Sequence, residues 1–163
     1  MFPMIPTKFG SDRSRQLFLI LALPILVMVI LRIANALYPR PKTLGAQAGR
    51  LAPCTDRPNC VCSQNDDSEH SIEPLHFKET REDARRRLIE VLSELPRARI
   101  VTQQPDYLHV ECGSLVFGFV DDVEFQFRDD ESLIHVRSAS RIGYSDLGVN
   151  RKRVELIRDR LGW

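Results

Sequence analysis

Three of the four cysteines crowd one short loop, Cys54, Cys60 and Cys62 in LAPCTDRPNCVCSQ. Pro53 and Pro58 stiffen a segment that has little means of packing itself, so a Cys54–Cys60 bridge would staple it. Closing so short a loop is worth about 2 kcal/mol, and the bridge persists only outside the reducing cytosol. The same trio with His70 or His76 could instead ligate a metal, although C-x5-C-x-C is not the C-x2-C pair of common zinc sites. A redox dithiol would want C-x-x-C, which the loop lacks. Cys112 alternates with Leu108 and Val110 and reads as a buried free thiol. His109 and His135 read as surface or satisfied polar groups, and no histidine adjoins a Ser or Cys in a nucleophile motif such as G-x-S-x-G.

A second group lies in RSASRIGYSDLGVNRKR. Arg137 and Arg141 share one face of a strand with Ala139, while Ile134, Val136 and Ser138 take the other. Gly143 and Gly148 bracket a loop, and Asp146 within it can hold the turn together with Asn150, expected as the N-cap of a closing helix. Two guanidiniums, a helix N-terminus and loop amides near one spot are how proteins bind carboxylates or phosphates. The candidate anion ligands are Arg137, Arg141, Asn150 and Arg151. The competing reading is architectural, with the arginines forking onto Asp121, Asp122 or Asp146. A third makes Asp121 or Asp122 the base of a hydrolase or transferase. No catalytic residue, cofactor or metal site is assigned.

These residues need elements to position them. Thr80 can cap a helix with Asp83 three residues on, and Ala84, Leu88, Val91, Leu92 and Leu95 recur at helical spacing until Pro96. Glu82–Arg86 and Asp83–Arg87 are spaced as i,i+4 pairs on its outer face. After Pro96 the period becomes two, predicting strands at Arg99–Gln103, Tyr107–Cys112, Leu115–Val120, Val123–Arg128 and Leu133–Ser140. Val123, Phe125 and Phe127 should face in, and Glu124, Gln126 and Arg128 out. Asp129–Ser132 makes a hairpin turn, and Val154, Ile157 and Leu161 form the apolar stripe of the closing helix. The order predicts an α+β domain: an antiparallel β-meander with two helices packed on one face. Residues 106–131 carry a net −7 and residues 137–163 a net +4, a split that predicts pairing within the sheet.

With 163 residues and a net charge of +1, the chain has room for one domain and is no general nucleic-acid binder. Leu17–Leu31 is uninterruptedly apolar. Extended to Tyr38, the helix would reach roughly 33 Å, enough for a hydrocarbon core of roughly 30 Å. Arg32 can snorkel to the headgroups, Tyr38 suits the interface, Pro24 would only kink the helix, and Pro39 and Pro41 stop it. The rival is a cleaved export signal, with Lys8, Arg13 and Arg15 as leader and Ala34-Asn35-Ala36 as cleavage motif. Arg32 and the long apolar stretch favour an uncleaved anchor, and no Cys directly follows the apolar run to take a lipid. Basic residues flank the span about equally, so orientation rests on the cysteines. The organisation is a basic cytoplasmic leader at 1–16, an anchor at 17–38, a linker at 39–52 and a single domain at 53–163.

PCTDRPNCVCSQ, and FGFVDDVEFQF followed by RSASRIGYSDLGVNRKRVELIRDRL, resemble the bacterial and chloroplast family called domain of unknown function 1499, over about residues 50–161. The resemblance implies an envelope-associated domain, often behind a membrane span, with no established activity. Members usually carry Ser where this chain has Cys62, which favours Cys54–Cys60 as the bridge over a metal site. Together these features predict a single-pass protein of the bacterial inner membrane with its C-terminal domain in the periplasm. It would act as a binding or accessory module for an envelope protein or a small anion. The alternative is a hydrolase or transferase on an anionic envelope substrate, with Arg137, Arg141 and Asp122 in its site.

Overall fold

The computed structural model describes residues 10–128 and 131–163. Most of the basic leader and the Asp129-Asp130 half of the hairpin turn lie outside the described residues. The elements are α1 (Gly10–Leu37), β1 (Cys60–Cys62), β2 (Leu75–His76), α2 (Arg81–Glu94), β3 (Ala98–Gln103), β4 (Tyr107–Gly113), β5 (Val120–Phe127), β6 (Leu133–Ser140) and α3 (Val149–Leu161).

Period-two patterning sets the centre of the sheet. β3, β4, β5 and β6 follow one another as an antiparallel meander, and β1 and β2 both pair antiparallel with the outer edge of β6. One face buries Leu108, Val110, Val123, Phe125, Ile134 and Val136 against Ala84, Leu88 and Leu92 of α2 and Val154, Ile157 and Leu161 of α3. The fold is therefore α+β, with both domain helices on one face of the sheet. Thr80 caps α2, its Oγ1 accepting from the Asp83 amide at 3.2 Å. Arg86 bonds Asp83 one residue closer than expected, and Arg87 leaves α2 altogether for Glu79, the Leu161 carbonyl and the Trp163 ring. Arg87 thereby ties α2 to the end of α3.

Three expectations change. Of the expected strand Leu115–Val120 only Val120 is in a strand, as the start of β5: Ser114 and Phe119 close a loop through Ser114 N to Phe119 O and Phe119 N to Ser114 Oγ, and Gly118 takes φ +67. Its run of apolar residues lacks alternation and has no second face to offer a sheet. The closing helix starts at Val149 behind Gly148 at φ +77, so Asn150 is inside the helix rather than its cap. Asp146 does the capping, accepting from the Gly148 amide at 2.9 Å and the Asn150 amide at 2.7 Å. Finally, Glu124 and Gln126 face away from the helices but are buried, because residues 38–52 lie across that side of the sheet. Arg40 Nε reaches Glu111, the Gly45 amide donates to Glu124, and Leu51 packs with Cys62 and Tyr107.

The candidate span Ser14–Leu37 within α1 is 24 residues long, its most apolar 18 residues have a mean hydropathy of 2.9, and Pro24 does not break it. Near its end it meets the domain. Arg32 Nη1 donates to the carbonyls of Leu115 and Val116, and Asn35 Nδ2 to that of Phe117 at 2.8 Å. Arg32 thus reaches a protein loop through Nη1.

Candidate functional site

Alternation along three neighbouring strands sends charged side chains to the face opposite the helices: Tyr107, His109 and Glu111 from β4, Asp122 and Glu124 from β5, and Arg137 from β6, with Arg141 just beyond. Register then sets neighbours. Glu111 stands opposite Asp122, and Glu124 lies between His109 and Arg137. Arg141 forks onto Asp122, Nε to Oδ2 and Nη2 to Oδ1 at 2.7 Å each, and its Nη2 also reaches Glu111 at 2.5 Å. His109 Nε2 lies 2.7 Å from Asp122 Oδ1. Glu124 accepts from the Tyr107 hydroxyl at 2.7 Å, the Gly45 amide at 2.8 Å and Arg137 Nη1 at 3.0 Å. Glu111 collects Arg40, Arg99 and Arg141.

The electrostatics follow from this crowding. Burial pushes Asp122 towards its neutral form, but the hydrogen bonds from Arg141 and His109 outweigh burial and hold its pKa below the ordinary carboxylate value. Burial likewise opposes ionised Glu111, yet its three arginines bring it down to about 2. The two carboxylates raise the Arg141 pKa, so that guanidinium is permanently charged. For the Tyr107 hydroxyl, burial and the neighbouring Glu124 both raise the pKa. An Asp122 so held is a poor proton acceptor, since both its oxygens are occupied and its pKa is low.

The expected ligands divide between the two faces. Arg137, Arg141 and Asp122 come together. Asp121 and Asn150 lie on the helix side: Asp121 accepts from Ser140 at 2.6 Å and from Arg153 at 2.5 Å, and the wholly buried Asn150 bonds Ser138, Ser140, Arg153 and the Asn59 carbonyl. Asp146 caps α3, and Arg151 points away to the Glu69 carbonyl at 2.9 Å. Asn150 and Arg151 therefore do not join Arg137 and Arg141. Glu111, Glu124, His109 and Tyr107 were missed as partners, although their alternation on strands rich in acid was the available signal, and Arg153 of α3 was missed as well.

A cleft of about 370 Å³ opens beside Arg137 and Arg141, lined also by Thr55, Arg57, Asn59 and Ala139. Arg137 Nε is buried and has no hydrogen-bond partner among the described residues. The rim is the loop closed by the Cys54–Cys60 disulfide. With that bridge formed, and with Cys62 and Cys112 buried as free thiols, the three-cysteine metal set is not assembled. Burial raises both free thiols, Cys112 to about 11. His70 braces the loop from beneath, its Nδ1 2.6 Å from Asp67 Oδ1 and its Nε2 3.1 Å from the Arg57 carbonyl.

The family described as Protein of unknown function (DUF1499) matches residues 50–161. The chain belongs to that family. No curated protein matches it. The DUF1499 region holds the disulfide loop, the sheet and both domain helices, whereas Arg40, Gly45 and all of α1 precede it.

Proposed function

We propose that this DUF1499 protein is a membrane-anchored, extracytoplasmic binding or accessory module of the bacterial envelope. One observation carries the reading: an apolar helix long enough to span a bilayer, with its side chains exposed, runs into a domain stapled by a disulfide. The closed pairing of Asp122 favours a module over a hydrolase or transferase. The test is made on envelope fractions. The full chain should resist carbonate extraction, and protease added to spheroplasts should digest the domain. Mass mapping should find Cys54 bonded to Cys60, with Cys62 and Cys112 alkylated only after unfolding. A carbonate-soluble protein beginning at Leu37, or four free thiols, overturns the reading.

The ligand supported by the cleft is a small anion, because Arg57, Arg137 and Arg141 line it together and Arg137 Nε lacks a partner. Four guanidiniums (Arg40, Arg99, Arg137, Arg141) pair with three carboxylates (Glu111, Asp122, Glu124), and Arg57 adds a further positive charge at the cleft. Sulfate should raise the Tm of the parent and leave Arg57→Ala unmoved, with chloride at matched ionic strength as control. Equal shifts in both proteins would defeat the anion site.

A further inference from the structure

The loop between β4 and β5 exposes a run of apolar side chains. Leu115 is 67% exposed, Val116 50%, Phe117 44% and Phe119 38%, and no charged residue interrupts Gly113–Val120. Such a surface invites a cover. What covers it follows from its attachment, since the loop is bonded to α1 near the end of the apolar span. Arg32 and Asn35 hold the carbonyls of Leu115, Val116 and Phe117, and a Cβ on Gly118 would stand 3.3 Å from Arg32 Cγ, so loop and helix are in close contact. Arg32 and Asn35 precede Leu37 by five and two residues, so at ~1.5 Å per residue the contact lies about 3–8 Å inside the helix end. Lipid normally rejects a loop because bare backbone polar groups cannot be desolvated there. Here three successive carbonyls already have donors, and Ser114 and Phe119 satisfy each other across the loop's neck.

We infer that residues 114–119 form a second membrane contact, with Leu115, Val116 and Phe117 seated in the lipid interface beside the helix. This rests on the anchor reading above, and the experiment separates the two. The full chain is reconstituted into phosphatidylcholine vesicles whose acyl chains are brominated near the headgroup. Trp163 is replaced by Phe, since it is the sole tryptophan, and a reporter is placed by Phe117→Trp or, at a second exposed position, by Leu115→Trp. Tyr144→Trp, exposed on the loop before α3, serves as control. Both loop reporters should be quenched at least threefold more by bromolipid than the control, with blue-shifted emission. A chain that fails to float with the vesicles overturns the anchor and this inference with it. If the chain floats but its loop reporters are quenched no more than Tyr144→Trp, the inference alone is overturned. Reporters shielded from both bromolipid and aqueous acrylamide would likewise overturn it, because the cover would then be protein, such as a second copy of the chain.

Discussion

Arg141 shows how strongly one side chain can be committed. Its side chain is 5% exposed and that of Asp122 2%, so removing the guanidinium strands a carboxylate where water cannot replace it. Arg141→Ala should therefore cost about 3 kcal/mol in denaturant unfolding, against under ~1 for an exposed pair. A loss below ~1 kcal/mol would mean that Asp122 finds water. His70 makes a different prediction. Burial opposes its charge, but the Arg57 carbonyl and Asp67 carboxylate outweigh this and raise its pKa. Both ring nitrogens face acceptors, which only the doubly protonated imidazolium can serve. The stabilisation is thus complete below the unfolded value of about 6.5 and disappears as pH rises through the higher folded value. The Tm gap between the parent and His70→Asn should widen from pH 8 to pH 6, and a gap that narrows would refute the assignment. The arginine forks were legible in part, because period two put Arg137 and Arg141 on one face. Asn150 and Arg151 were misplaced because sequence proximity to a helix start does not say which side of the sheet the helix covers.

Elements were legible where they were long enough to repeat. α2, α3 and the β3–β6 meander each carry several turns of their period. β1 and β2, three and two residues long, carry none and exist only because the edge of β6 offers them partners. The stretch after α1 escaped for another reason. PRPKTLGAQAGRLA has neither helical nor strand period, and it docks through scattered contacts, among them the Arg40 guanidinium, the Gly45 amide, hydrogen bonds of Gly49, Arg50 and Leu51 with Gln64, and the Leu51 side chain. That side chain is only 4% exposed, packed with Tyr107 and Cys62. Leu51→Ala should destabilise the domain by about 2–3 kcal/mol in chemical denaturation. If these residues were merely a spacer, the loss would be negligible.

Taken together, charge and sulfur were the easiest features to read. The acidic and basic halves do pair, as Arg137–Glu124, Arg141–Asp122 and Arg153–Asp121. The Cys54–Cys60 bridge formed where two prolines had left a loop without a core. Burial on the far side of the sheet was not legible, since polar strand positions look the same whether they meet water or a buried carboxylate's partner.

The Arg40–Glu111 contact has a mechanical meaning. Only two residues separate Leu37 from Arg40, a span of at most about 10 Å. A domain on a long flexible tether sweeps a hemisphere and can grasp at many heights. This one is clamped at the root. For a protein held in a bilayer, the arginine cleft would then ride at one fixed altitude and search in two dimensions, meeting only what passes at that level.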